Sequence, residues 1–260
     1  ILLGFRLNFS EIARLGPAAL VGVVIFVPLI VLAASLMGRA WKLDRKLAVL
    51  IGVGSGICGS SAIAAIAPCI GAEEEDSALA VSGLSVLGAI AVIVFSAVAN
   101  SVRLSEPQYG VWAGLSLQAV PNAIAAAHAR GTLSGDVGTL VKMARVALLA
   151  PMALLLTFMF GRRQAAAAGS KHPPRVSVPL YVILFIAAAT ANSVGVIPAQ
   201  VSTWLAAASG NLMLLAMTAL GIGVDLRSLR HKAGPAFSLS VVLFLAVAGS
   251  AYAWARWVVR

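Results

Sequence analysis

Three groups of residues in this chain could act on a small charged solute. The first is Gly54, Ser55, Gly56, Cys58, Gly59, Ser60 and Ser61, within the stretch GVGSGICGSSAIAAIAP at 52–68. A glycine weakens a helix by up to about 1 kcal/mol relative to alanine. Serine hydroxyls can bond freed carbonyls or a ligand. Three glycines and three serines among eight residues of an apolar segment predict a helix interrupted at membrane depth. The second half-helix would then start near Cys58 to Ser61, with unpaired N–H groups and a positive dipole end. That is an anion site made without a formal charge. Close helix packing through small residues is the other reading of the same pattern.

The second group is Lys142 and Arg145, three residues apart and so on one helical face, in LVKMARVALLAPMALLLTFMF at 140–160. Ionisable groups inside a bilayer are costly and usually face a pathway. Together they could neutralise an anion, Arg145 offering a planar fork to oxyanions. Alternatively they snorkel to the nearby interface. The third group is Gln118 and Asn122, at i and i+4 in SLQAVPNAIAAAH, where Pro121 frees a backbone carbonyl. They either line the same cavity or bond between helices. Two more amides complete the candidate binding set. Asn192 stands in a turn, NSVGVIPAQ, and Asn211 in a second candidate break at 206–225, AAASGNLMLLAMTALGIGVD.

These residues must be positioned by membrane helices. The 260 residues are 60% hydrophobic and 11% charged, against roughly 25% charged in a soluble domain. Several charge-free stretches reach the ~18 residues that mark a membrane span. The stretches are continuous, which argues for helices rather than a barrel. The fold class expected is therefore an all-α polytopic membrane protein, a single domain over 1–260. Eight spans are expected: 17–38, 47–72, 77–102, 107–129, 140–160, two within 176–224, and 233–255. A linker at 161–175 joins the two parts. The chain starts with Ile1, and ILLGF reads as the tail of an earlier span, so an N-terminal truncation is expected.

If every segment crosses once, twelve cations fall on one side: Arg39, Lys42, Arg45, Lys46, Arg103, Arg162, Arg163, Lys171, Arg175, Arg227, Arg230 and Lys232. Five fall on the other: Arg6, Arg14, Arg130, Arg256 and Arg260. By the positive-inside rule the richer side is cytoplasmic, which puts EEED at 73–76 outside. A weak internal similarity links 2–18 with 219–236, as in transporters with duplicated halves, or as a recurring helix boundary.

The remaining residues point to little chemistry. The excess of cations lies between apolar segments, so nucleic acid is not expected as a partner. Cys58 and Cys69 match no metal motif and suit packing. His128, His172 and His231 have no catalytic or metal partner pattern. No nucleotide, zinc or hydrolase signature is present, so neither an enzyme nor a cofactor is expected.

The blocks LLGFRLNFSEI, GSGICGSSAIAAIAP, EEDSALAVS, VKMARVALLAP, NSVGVIP and LAMTALGIGVDLRSLRHKAG, in this order, resemble the YeiH-type (UPF0324) family of bacterial membrane proteins, named for sulfate export. The resemblance covers essentially the whole chain; ICGSSA and KMARV…LAP are its specific parts. It implies about eleven spans in a full protein and a location in the bacterial inner membrane. It also implies kinship with the bile-acid symporter and cation/proton antiporter superfamily, with discontinuous crossing helices. One departure stands out. The family's His-Glu pair and later Gln, in a SIHEVAQVVAAG-like helix, are here Gln118, Ala119 and Asn122. If that acid carries a coupling proton, this chain couples differently or carries another substrate.

The expectation is a secondary transporter exporting sulfate or a related small anion such as sulfite or a sulfonate. Its partners are the substrate, the bilayer, and a coupling proton or sodium ion, with a homo-oligomer permitted. The rivals are an ion/proton antiporter of the same architecture, disfavoured because no Asp or Glu lies within a span, and a membrane interaction protein without transport.

Overall fold

The computed structural model describes Phe5, residues 15–167 and 180–198, scattered positions between 200 and 215, and residues 226–259. Among them every extended element is a helix, and four helices are long and apolar enough to cross a membrane. Helix α1 spans Pro17–Ala40, with Pro17 in the first turn, where its missing N–H costs nothing. Helix α2 (Arg45–Gly56) starts at Asp44, whose carboxylate accepts from the backbone N–H of Lys46 at 2.7 Å and of Leu47 at 3.4 Å. Helix α3 (Ser60–Ile70) ends at Gly71 in the left-handed conformation. Helix α4 (Glu74–Val98) carries Glu74, Glu75 and Asp76 in its first turn, the acids favoured at that end of a helix dipole. Helix α5 (Glu106–Ser116) starts with a capping box between Ser105 and Gln108. The remainder are α6 (Val120–His128), α7 (Thr132–Ala147), α8 (Leu149–Ala167), α9 (Leu180–Val194) and α10 (Leu226–Trp257).

The interruption expected at Gly54–Ser61 is present, at residues 57–59, between α2 and α3. The chain does not continue across the membrane beyond it. Lys46 Nζ, at the start of α2, donates to the Gly71 carbonyl, just past the end of α3, at 2.6 Å. Gly54 faces Ile63, where a β-carbon would fall 2.9 Å from Cδ1. The two helices therefore run antiparallel, as a hairpin whose ends share one side.

The segment expected as a fourth span, 107–129, is also a hairpin, broken at residues 117–119 between α5 and α6. Its ends are tied by Arg130, whose guanidinium donates to the carbonyls of Ala99, Val102 (3.1 Å) and Leu104 (2.5 Å). Gly131 abuts the carboxylate of Glu106, where a β-carbon would lie 2.6 Å from Oε2. Helix α7 then runs parallel to α5. Gly110 sits against Gly138, and Gly114 against Val141, at distances that leave no room for side chains. Small residues permit that approach in a membrane, where packing itself drives association.

Two of the eight expected spans are thus re-entrant, and the topology changes accordingly. The acids at 73–76 lie on the side of Lys42 and Arg45, because Lys46 reaches Gly71 there. Arg103 lies on the opposite side with the end of α10, where Arg256 donates to its carbonyl at 2.6 Å and Gln108 donates to the Val259 carbonyl at 2.8 Å. The start of α1 joins them, its Ala18 carbonyl accepting from Trp254 Nε1 at 3.1 Å. Among the described residues, Arg39, Lys42, Arg45 and Lys46 share one side with the acids at 73–76, and Arg103, Arg130 and Arg256 share the other.

The expected linker at 161–175 is helical over 161–167, the end of α8, and residues 168–175 lie outside the described residues. So do most of the second candidate break at 206–225, most of the first member of the weak internal similarity, and residues 219–225 of the second, whose remainder begins α10.

Candidate functional site

Each hairpin reverses through three residues, Ile57-Cys58-Gly59 and Leu117-Gln118-Ala119, and the two tips touch. A β-carbon on Gly59 would lie 3.7 Å from both the N and Cα of Ala119. The hairpins enter from opposite sides, so this meeting point is deep within the helical domain. Gly59 makes the first reversal possible. Its φ of 73° and ψ of −134° belong to a region that only glycine occupies readily. Pro121 makes the second. It has no N–H to give to the Leu117 carbonyl four residues earlier, and its ring would clash with that oxygen.

A helix end leaves carbonyls unpaired, and inside a membrane each unmet group is costly. Lys142 and Arg145 of α7 meet those of both tips at once. Lys142 Nζ donates to the carbonyls of Ile57 (2.8 Å) and Leu117 (2.7 Å). Arg145 Nε donates to Gly56 O (2.8 Å) and Nη2 to Ser55 O (2.5 Å). Its Nη1 donates to the carbonyls of Gly114 (2.7 Å), Leu115 (2.7 Å) and Leu117 (3.0 Å). Both side chains are fully buried, at 0% and 1% exposure, so they do not snorkel to an interface. They clamp the C-terminal ends of α2 and α5 together.

The other half of each tip is a helix start. Ser60 and Ser61 form the first turn of α3, after Gly59, which supplies no capping side chain. Ser61 Oγ donates to Cys58 Sγ at 2.8 Å and approaches the Cys58 carbonyl at 3.2 Å. Helix α6 likewise starts after Ala119, without a side-chain cap. The electrostatic sum is one-sided. Two C-terminal ends, about half a negative charge each, face the Lys142 and Arg145 donors, while two N-terminal ends each add about half a positive charge. Among the described residues no group of acidic and metal-binding side chains could hold a metal ion.

Gln118 occupies the second tip, 2% exposed, and neither its Oε1 nor its Nε2 has a hydrogen-bond partner. Asn122 lies one turn on. Both side chains face Gly88 of α4, where a β-carbon would fall 2.9 Å from Asn122 Nδ2 and 3.8 Å from Gln118 Oε1. The buried hydroxyls of Ser55 and Ser116, at the ends of α2 and α5, are also without partners. Buried polar groups in native proteins are nearly always paired, so unpaired ones at a single locus call for an explanation such as a ligand.

The structure therefore brings together Gly54, Ser55, Gly56, Cys58, Gly59, Ser60, Ser61, Gln118, Asn122, Lys142 and Arg145. Gly54, Ser55 and Gly56 take part through their carbonyls, that of Gly54 accepting from Gly59 N–H at 2.9 Å. Asn192 sits instead in the last turn of α9, where its carbonyl accepts from Gly195 N–H at 3.2 Å, and Asn211 is exposed. Ser116 and Gly88 belong to the locus without having been expected there. For Ser116 the available signal is Pro121, five residues later; Gly88 has none.

A family model described as "Conserved hypothetical protein 698" matches residues 1–239. The chain is 38% identical over 245 residues to the UPF0324 membrane protein Atu0671 of Agrobacterium fabrum, covering 93% of this chain and 70% of that protein. It is 34% identical over 257 residues to the UPF0324 membrane protein blr3189 of Bradyrhizobium diazoefficiens, covering 98% and 73%. A UPF0324 membrane protein of Bacillus cereus is 30% identical over 242 residues, covering 93% and 71%. No solved structure matches the chain. The chain belongs to the UPF0324 membrane protein family.

Proposed function

We propose that this UPF0324 membrane protein is a secondary transporter of a small inorganic or sulfur-containing anion, with sulfate and sulfite the first candidates, acting in the bacterial inner membrane. The observation that carries the reading is the convergence of two half-helix starts and two buried cations on tips that hold no carboxylate among the described residues. An anion is the solute such a locus attracts. The role of Lys142 and Arg145 differs from direct capture. Their donors hold the tips in place and supply charge from behind, while the N–H groups of α3 and α6 and the amides of Gln118 and Asn122 face the solute.

The same geometry disfavours cation transport at this point. A dehydrated sodium ion needs several oxygen ligands, and the tip carbonyls that could provide them already accept from Lys142 and Arg145. Flux of radiolabelled sulfate and sulfite in proteoliposomes of the purified protein, with and without a pH gradient, tests the reading. Accumulation above protein-free vesicles supports it. Absence of flux for both anions in both directions would remove it.

A further inference from the structure

The carboxamide of Gln118 is at once a donor and an acceptor, whichever way it is turned. Its two polar atoms are buried without partners beside the uncapped start of α6 and across from the start of α3. We infer that Gln118 selects a singly protonated oxyanion, one that presents an X–OH donor as well as charged acceptor oxygens, over the fully deprotonated dianion. This rests on the anion-transport reading above and sharpens it.

The argument is one of complementarity. A dianion has only acceptors, so the Gln118 amide oxygen would stay unpaired when it binds. A monoanion of the HXO₃⁻ kind gives its hydroxyl to that oxygen and its charged oxygens to Gln118 Nε2 and the helix N–H groups. Leaving one buried acceptor unmet costs enough to discriminate about ten- to a hundredfold.

The charged and titratable groups that face the tip are Lys142 and Arg145 of α7 and the Cys58 thiol of the facing hairpin. Of the others on the surrounding elements, Glu106, Tyr109, His128 and Arg130 with Asp136 and Arg256 sit towards this hairpin's open end, and Arg45 and Lys46 of α2 with Glu74, Glu75 and Asp76 of α4 sit towards the open end of the other. No carboxylate among the described residues is placed to shuttle a proton through the tips. On this reading the proton crosses on the solute itself, so that anion and proton move together.

The test uses proteoliposomes loaded symmetrically one pH unit below and one above the second deprotonation of sulfurous acid, with radiolabelled sulfite as the probe. The expected initial rate follows the hydrogen sulfite concentration and falls about tenfold between the two conditions. Unlabelled sulfate, a dianion throughout, competes at least about tenfold less well than sulfite at the lower pH. Gln118→Met keeps the side-chain volume and removes both polar atoms; in it the gap between sulfate and sulfite closes. Sulfite flux that follows the dianion, or a gap unchanged in Gln118→Met, overturns the inference and leaves anion transport standing. Absence of flux under every condition removes both. A melting temperature measured on each variant separates lost selectivity from lost folding.

Discussion

The carbonyl oxygens of Ile57 and Leu117, sixty residues apart in the chain, lie 2.8 and 2.7 Å from the same ammonium nitrogen, Lys142 Nζ. They hold equivalent places, each the first residue of a three-residue reversal. One side chain thus closes two hairpins that arrive from opposite faces of the membrane, and Arg145 repeats the arrangement one turn later.

Removing either cation should therefore cost stability as well as function. Arg145→Ala strands the carbonyls of Ser55, Gly56, Gly114 and Leu115 in a dry interior. At about 1–3 kcal/mol for each unmet group, the loss approaches the whole stability of a typical domain. The expected result is a large drop in the detergent melting temperature and in folded yield. Arg145→Lys, which keeps the charge but has fewer donors, should fall between. A melting curve unchanged in Arg145→Ala would contradict the clamp.

The re-entrant hairpins make a sidedness prediction. With Cys58 and Cys69 replaced by alanine, single cysteines at Lys42 and Glu73 should react with an impermeant thiol reagent from one face, and a cysteine at Arg103 only from the other. Labelling of the Glu73 and Arg103 positions from a common face would restore two full crossings in place of the hairpins.

Gly59 should resist substitution for conformational rather than steric reasons. A β-carbon there meets nothing closer than 3.7 Å, but the backbone angles suit only glycine. Gly59→Ala is expected to cost about 1–3 kcal/mol and to shift the tip. Thermal unfolding should show the loss, and anion flux should fall further than stability alone explains.

Gly88 gives the converse case. In Gly88→Ala the new methyl would sit 2.9 Å from Asn122 Nδ2, the movable end of a side chain, so the fold should tolerate it. The methyl nevertheless intrudes where Gln118 and Asn122 face α4. Near-normal melting with severalfold slower flux is the expected outcome. Unimpaired flux would place the solute away from these amides.

Sodium dependence is a direct consequence of how the tip carbonyls are used. Because ammonium and guanidinium groups already fill them, replacing sodium by choline on both sides should leave anion flux unchanged. A steep sodium requirement would mean that a cation is coordinated elsewhere.

Much of this was legible in the residues. The density of glycine and serine between Gly54 and Ser61 located the first interruption, and Pro121 announced a freed carbonyl near Gln118. The direction of the chain after each interruption was not legible. Two half-helices of 11 or 12 residues have the length and apolar character of one crossing, whether they continue or fold back. What distinguishes the cases is Lys46 reaching Gly71 and Arg130 reaching Leu104, contacts with main-chain oxygens that any residue could supply. The same blindness hid the acceptors of Lys142 and Arg145. Their shared face was plain and their depth was left open between a pathway and the interface, but carbonyl partners leave no trace in side-chain pattern.

The common anchorage of the tips carries an implication for how a route through the membrane could alternate. Withdrawing one hairpin towards its own side strips acceptors from Lys142 and Arg145, and those donors can recover them only by holding the opposite hairpin more firmly. Opening to one compartment thus tightens the seal facing the other. If the chain transports as proposed, two gates that share a latch would not be ajar together, and the wiring of the main chain would suppress leakage without a separate plug.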